Sequence, residues 1–132
     1  MNVYDNFPVS GEEARKTGQF YKITSDTAVK TVSGKKNPVL LEFRVSNDFV
    51  KLGVVTIPAG GIGPRQTEYD SHKGDAVLYV EEGPVTFYFP DTKKVFQVEK
   101  GEFMFIPENS VYKMINYTGK VVKAVFIVAP EM

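Results

Sequence analysis

Three residues suited to acid–base chemistry or metal binding lie two apart in one short segment: Glu68, Asp70 and His72. Side chains two residues apart in a β-strand point to the same side, so a strand over residues 65–72 would present all three on one face. His72 is the only histidine of the chain, and imidazole is the side chain whose unperturbed pKa lies near neutrality. We therefore expect His72 to act as a base, with Asp70 orienting its ring or raising its pKa and Glu68 as a second carboxylate.

The same three side chains could instead bind a divalent ion such as Mn, Fe or Zn. One histidine and no cysteine cannot supply a three-histidine site or a thiolate zinc site from a single chain. We therefore expect no cofactor. A divalent-metal enzyme with a non-standard site of His72, Asp70 and Glu68 stays open as an alternative.

The composition excludes several broad classes of function. The chain has 132 residues, which fits one domain, and 16 Lys plus Arg residues balance 16 Asp plus Glu residues. Nucleic-acid binding needs an excess of positive charge, and no stretch approaches the ~20 apolar residues of a membrane-spanning helix. The first residues have no basic start followed by an apolar run, so no secretory signal is predicted. We expect a cytoplasmic protein that binds neither nucleic acid nor membranes.

The elements that must position these residues are almost all β-strands. A helix is predicted only in the N-terminal segment, residues 1–20, where Ser10 would cap it and Gly18 would end it. Beyond this segment, short runs of Val, Ile, Phe and Tyr alternate with Gly, Pro and Asn, beginning with a strand over residues 21–24. Many short strands predict a mostly antiparallel sandwich or barrel over residues 21–132, on which the N-terminal segment packs.

Several of the predicted strands are apolar on both faces. Val77 and Tyr79 would point opposite to Leu78 and Val80, and residues 121–128 are apolar apart from one lysine. An apolar outer face needs a cover, which is either the N-terminal segment or a second subunit. We predict a homodimer, with the covered monomer as the alternative.

Glycines at positions 83 and 101, a proline at 107 and an asparagine at 116 recur among the predicted turns and strands, and in this spacing residues 60–116 resemble the two sequence motifs of the cupin superfamily. Asn109 stands where the second motif has a glycine, and asparagine also adopts left-handed turns. The resemblance implies a small single-domain cupin: an all-β, RmlC-like jelly-roll β-barrel of two antiparallel sheets with a short N-terminal helix. The positions that set the turns of both motifs are kept, as Gly83, Gly101, Pro107 and Asn116.

The same register places Asp70, His72, Ala76 and Tyr112 on the four positions that bind metal in the family. Only His72 is of the residue type that the family uses there, so the resemblance implies a degenerate metal-binding motif. Some metal-free cupins, the sugar epimerases among them, are similar in using a histidine base with an aspartate partner and a tyrosine acid. The resemblance thus implies that Tyr112 donates a proton opposite His72.

Two further residues are candidate ligand contacts, Arg44 and Met114. Arg44 alternates with Glu42 on one strand face, where it forms either a cross-strand ion pair, the more common arrangement, or a clamp for an anionic ligand. Met114 would lie in the barrel interior. An interior filled by Met104, Met114 and phenylalanine side chains would favour a non-catalytic dimerisation or assembly module instead of an enzyme or ligand-binding protein.

The residues and the resemblance together favour a small-molecule-binding cupin with a polar barrel pocket. Within that class we consider a metal-independent acid–base enzyme, of the isomerase or lyase type, acting on a small polar or carboxylate substrate. The alternative is a non-catalytic dimerisation or assembly module, because residues 101–112 also resemble the cupin of eukaryotic centromere proteins. A cavity lined by His72, Asp70 and Tyr112 would favour the first interpretation.

Overall fold

The computed structural model describes residues 8, 10–33, 38–47, 49–63 and 72–130. These residues form strands that pair antiparallel in two sheets, which confirms the predicted all-β jelly roll. None of the helices in these ranges is long and apolar enough to span a membrane. The elements are the helix α1 (Gly11–Thr17), a 3-10 turn (Ser25–Thr27), β1 (Val29–Ser33), β2 (Val39–Ser46), β3 (Lys51–Ile57), β4 (Ile62–Gly63), β5 (Asp75–Glu82), β6 (Val85–Phe89), β7 (Lys94–Val98), β8 (Phe103–Ile106), β9 (Lys113–Ile115) and β10 (Val122–Ala129).

The strand order brings distant parts of the chain into one sheet. The six-stranded sheet has the order β1-β2-β3-β10-β5-β8, and the four-stranded sheet has the order β4-β9-β6-β7. The last strand, β10, therefore lies between β3 and β5. Both sheets contribute inward-facing side chains to one hydrophobic core.

The helix begins and ends where the sequence predicts. The Ser10 hydroxyl accepts a hydrogen bond from the Glu13 N–H at 3.1 Å, and Gly18 ends the helix in the left-handed conformation with φ of 72°. The Arg15 guanidinium lies 4.2 Å from the centre of the Phe49 ring in the turn between β2 and β3. This cation–π contact holds α1 against that turn.

The strand predicted over residues 21–24 is wrong. This segment pairs with no strand in the described ranges, and the chain reaches β1 only after the 3-10 turn. Alternating apolar residues are not sufficient for a strand, because each strand also needs a neighbour with which to share hydrogen bonds. Phe20, just before the segment, is 96% exposed.

Two turns have the backbone conformations that the second motif predicts. Gly101 has φ of 87° and Asn109 has φ of 62°, both in the left-handed region that glycine and asparagine adopt at the lowest cost. The Asn109 N–H also donates a hydrogen bond of 2.7 Å to the carbonyl of His72. This turn therefore fixes the position of the segment that leads into β5.

The inward faces of the central strands form a continuous apolar surface. In β10 every second residue is buried, and these residues pair with the buried residues of β5 and β3. Gly53 of β3 lies opposite Phe126, and a Cβ atom at Gly53 would collide with the Phe126 ring. The glycine therefore makes room for the ring to lie across the sheet.

The opposite side of β10, β5 and β8 is apolar as well, as the sequence pattern indicates. Cross-strand pairing places Val77 beside Phe105 and Tyr79 beside Phe103. Phe103 is 65% exposed and Phe105 is 56% exposed, although both belong to a regular strand. We define the outer apolar face as the side chains of Val77, Tyr79, Phe103, Phe105, Val125 and Ile127.

Asn116 links two turns by hydrogen bonds at one end of the barrel, the end where β3 finishes. Its side-chain N–H groups donate to the carbonyls of Ile57 at 3.1 Å, Pro58 at 3.0 Å and Lys120 at 2.6 Å. Its side-chain oxygen accepts from the N–H and the hydroxyl of Thr118. One fully buried amide thus satisfies backbone groups from two separate turns.

We expect Asn116→Ala to lower the free energy of unfolding by about 3 kcal/mol or more, because several buried carbonyls lose their donor together. Urea denaturation of the purified variant measures this change. The control is Asn109→Gly, which keeps a residue suited to positive φ and should change stability by less than about 0.5 kcal/mol. Equal effects of the two substitutions would contradict this role of Asn116.

Candidate active site

His72 and Tyr112 meet at one end of the barrel, where the chain leads into β5 and β9. The distance between His72 Nε2 and the Tyr112 hydroxyl oxygen is 2.7 Å. The two rings are tilted, with their centroids 5.7 Å apart. Forty residues separate the pair in sequence, so barrel closure alone makes them neighbours. The structure thus brings together two of the four predicted catalytic residues.

Aromatic packing holds Tyr112 in place. Its side chain is only 2% exposed, and the ring centroids of Phe87 and Phe89 lie 6.5 and 6.4 Å from its own. A buried tyrosine hydroxyl needs a hydrogen-bond partner, because leaving it unpaired in apolar surroundings is costly. His72 supplies that partner.

Lys51 is a third polar residue at this end, and the sequence interpretation missed it. It opens β3, where it lies on the same inward side as Gly53 and Val55, and it is only 5% exposed. Its ammonium lies 4.8 Å from the centre of the Phe43 ring. The alternation of Lys51 with the apolar inward residues of β3 was the signal that could have identified it, since a lysine there must enter the barrel.

Burial and a neighbouring positive charge keep His72 neutral. Desolvation is the larger cause and the Lys51 charge the smaller, and together they lower the pKa of His72 from 6.5 to about 4. The sequence interpretation allowed for a raised pKa, but the shift is in the opposite direction. At pH 7 the ring is a neutral imidazole, so one of its nitrogens can accept a hydrogen bond or a proton.

The other predicted catalytic residues, Glu68 and Asp70, lie outside the described residues. The predicted strand over residues 65–72 lies outside them as well, except for His72. Met114, a predicted ligand contact, is fully buried beside Phe87 in the hydrophobic core. Apolar side chains therefore fill the barrel interior on one side of Tyr112, and the polar groups lie on its other side, at the end of the barrel.

Arg44 makes an ion pair with Glu42, the more common of its two predicted arrangements. The distance from Arg44 Nη2 to Glu42 Oε2 is 3.0 Å, and both residues belong to β2, so the pair lies within one strand rather than across two. The pairing register of β2 with β3 shifts at this point, between Phe43 and Val45. The buried Arg44 Nε has no hydrogen-bond partner among the residues that the structure describes. Its predicted role as an anion clamp stays a prediction.

The described residues do not fit the metal centre that the fold family implies. Ala76 offers only a methyl group, the Tyr112 hydroxyl already contacts His72, and the Lys51 charge disfavours a second cation nearby. Across the described ranges there is no group of three His, Cys, Asp or Glu residues placed to hold a metal ion. We therefore derive no chemistry through a metal.

We expect the stability of the protein to rise with pH between about 4 and 6.5 through His72. In this window the unfolded chain binds a proton that folded His72, with its pKa of about 4, does not. The contribution is fully present above pH 6.5 and is lost as the pH falls to 4. At about 1.4 kcal/mol per pH unit, the contribution of His72 to the free energy of unfolding amounts to at most about 3 kcal/mol. Solvent screening at the partly exposed ring reduces this value.

Urea denaturation across this pH range, for wild type and His72→Gln, isolates the effect from the carboxylates that titrate nearby. The stability difference between the two proteins should change with pH in the stated direction. A difference that stays constant from pH 4 to 6.5 would mean that His72 is not held neutral by the fold.

Comparison with known proteins identifies the family. The family model for the cupin domain matches residues 53–128, more than half of the chain. No curated protein matches the chain by sequence at a significant level. The polyketide cyclase RemF from Streptomyces resistomycificus superposes with a TM-score of 0.68 at 18% identity, over 86% of this chain and 81% of RemF.

Two further solved structures share the fold. A predicted oxalate decarboxylase from Thermotoga maritima has a TM-score of 0.67 at 15% identity, over 83% of this chain and 98% of the other. A sugar phosphate isomerase of the cupin superfamily from Silicibacter pomeroyi has a TM-score of 0.65 at 11% identity, over 83% and 75%. The match of the family model, with the jelly roll of two antiparallel sheets, shows that this chain belongs to the cupin superfamily.

Proposed function

We propose that this cupin binds a small molecule in the polar end of its barrel and acts on it as a metal-independent acid–base enzyme of the isomerase or lyase type. The observation that carries the proposal is the 2.7 Å contact between His72 Nε2 and the Tyr112 hydroxyl. A base and an acid in direct contact inside an apolar barrel are suited to proton transfer.

The contact allows a complete proton cycle. When the Tyr112 hydroxyl turns its hydrogen bond to the substrate, the lone pair of His72 Nε2 becomes available and takes a proton from a substrate carbon, while the hydroxyl gives its own proton to the substrate at a second position. The proton on His72 then passes to the tyrosinate, which restores both groups with no net gain or loss of protons. The low pKa of His72 favours this last transfer and requires a substrate proton made acidic by a neighbouring carbonyl or carboxylate.

Solved structures of similar fold support the class of ligand. A polyketide cyclase, a predicted oxalate decarboxylase and a sugar phosphate isomerase are among the structures that superpose on this chain. Their names all refer to small organic molecules.

We expect a ligand found by a thermal-shift screen of small polar compounds to lose its stabilising effect in His72→Gln and Tyr112→Phe. A ligand that binds the folded state raises its melting temperature by mass action, and these variants remove contacts from the site. The matched control is Tyr117→Phe, which makes the same chemical change on a side chain that is 74% exposed. A ligand whose effect survives both site variants would contradict the proposed pocket.

We also infer that two copies of the chain associate through the outer apolar face. Phe103 and Phe105 project from β8, which is the edge strand of its sheet, whereas Val77 and Val125 beside them are only half-exposed. The two phenylalanine side chains thus form a ridge along one edge of the face. A second copy related by a two-fold axis parallel to the strands places this ridge over the less protruding side chains of its partner's outer apolar face. Sheets pack face to face in this way, at a distance of about 10 Å, and a self-complementary face suits a two-fold dimer.

We expect light scattering to find a dimer at micromolar concentration and a folded monomer for Phe103→Lys. A charge at this exposed position would be desolvated in the dimer but not in the monomer. Val95→Lys, at a 61% exposed position in the other sheet, is the matched control and should leave the dimer intact. A wild-type monomer would contradict the inference, and a dimer without any ligand-binding pocket would favour the assembly-module interpretation.

A further inference from the structure

We propose that Asp75 is a positioning residue of the candidate active site, because its carboxylate holds the turn of residues 107–109 against the segment that carries His72. The inference rests on the proposed function, since the role that it gives Asp75 is to fix the contact between His72 and Tyr112. It accounts for how two side chains from distant parts of the chain are kept within hydrogen-bond distance.

His72 lies outside the regular strands of the barrel. It comes before β5, which begins at Asp75, so strand pairing does not fix the backbone at His72. A hydrogen bond of 2.7 Å between two side chains requires accurate placement of both, because such a bond weakens steeply as its distance and angle depart from the optimum. The backbone at His72 therefore needs contacts of its own.

The turn of residues 107–109 supplies these contacts. The N–H of Glu108 donates to the carboxylate of Asp75 at 2.9 Å, and the N–H of Asn109 donates to the carbonyl of His72 at 2.7 Å. Two adjacent N–H groups thus bind the two ends of the segment 72–75, which fixes its orientation as well as its distance from the turn. The bond to the carboxylate is charge-assisted, and such bonds are stronger than bonds between neutral groups.

The same turn leads directly to Tyr112. Strand β8 ends at Ile106, whose partner in β5 is Ala76, and the chain then passes through the turn to Tyr112, just before β9. A displacement of the turn relative to β5 would therefore move the tyrosine relative to the histidine. The side chain of Asp75 connects the two parts of the chain that carry these residues.

The end of β10 confines the segment 72–75 from another direction. Gly74 is buried, and a Cβ atom at this position would collide with the backbone carbonyl of Pro130. The segment thus lies against the end of β10 and is bound to the turn through Asp75 and through its own backbone. Release of the Asp75 bond would leave the backbone bond of His72 as the one described hydrogen bond from the turn to this segment.

The nitrogen NMR spectrum of the His72 ring tests this inference without any ligand, because His72 is the only histidine of the chain. The signal of Nε2 depends on the hydrogen bond that this nitrogen makes. Its displacement in Tyr112→Phe, which loses only the hydroxyl, defines the full effect of breaking the contact. We expect Asp75→Ala to produce roughly half of this displacement or more, because the two side chains are no longer held at hydrogen-bond distance.

Two control variants separate positioning from a general effect on the fold. Asp75→Asn keeps a side-chain oxygen that accepts the Glu108 N–H, so it should restore the wild-type signal. Glu102→Ala removes a bond of the same kind, from the Glu99 N–H at 2.7 Å, near the other end of β5, and should leave the signal unchanged. Asp75 is exposed, so its replacement leaves no cavity in the core, and urea denaturation shows that each variant is folded.

An unchanged signal in Asp75→Ala, or an equal displacement in Asp75→Asn or Glu102→Ala, would overturn the positioning role. If Tyr112→Phe displaces the signal in that case, the contact between His72 and Tyr112 exists and the proposed function stands. If Tyr112→Phe leaves the signal where it is in wild type, the contact is absent in solution, and the proposed function is wrong together with this inference.

Discussion

Two apolar sheets close over one core, and every polar group inside that closure must find a partner there. Burial limits the access of water to these groups, so an unpaired donor or acceptor costs free energy that a single domain of this size cannot easily offset. The pair of His72 and Tyr112 meets this requirement at one end of the barrel, and Asn116 meets it at the other. The two ends differ in kind, because Asn116 binds backbone groups whereas the His72–Tyr112 pair joins two side chains that can exchange a proton.

Burial also decides which electrostatic state the site adopts. Desolvation and the charge of Lys51 both favour neutral imidazole, so the usual protonation of a histidine near pH 6 does not occur here. The same positive charge disfavours a metal cation nearby. The proposed acid–base chemistry therefore depends on a histidine that its surroundings keep neutral.

The β-sheet that carries this site has a second consequence on its other side. Because side chains alternate along a strand, the residues that build the core of β5, β8 and β10 leave the residues between them facing outwards, and the central ones of these are apolar too. A sheet with two apolar faces is stable in water only if both are covered. The inferred dimer and the site thus use opposite faces of the same strands, so that association need not obstruct the pocket.

Much of the fold could be predicted from the sequence because it rests on local patterns. The cap at Ser10, the left-handed turn at Asn109 and the alternating strands depend on residue type and on near neighbours, which the sequence displays directly. The strand predicted over residues 21–24 failed because a strand requires a partner that no local pattern reveals. The prediction that Tyr112 lies opposite His72 followed from their register within the cupin motifs, and the contact between their side chains agrees with it.

Only the tertiary structure decided what surrounds these residues. Lys51 is an ordinary lysine in the sequence, and it becomes a buried charge because β3 directs it into the barrel. Met114 lies in the hydrophobic core, and Arg44 pairs with Glu42 within β2, and no local pattern could decide either placement. The sequence by itself determined a cupin barrel with one histidine at its polar end. The tertiary structure decided that this histidine is neutral and forms a hydrogen bond with Tyr112. The reason is that desolvation and charge act through space, between residues that are far apart in the chain.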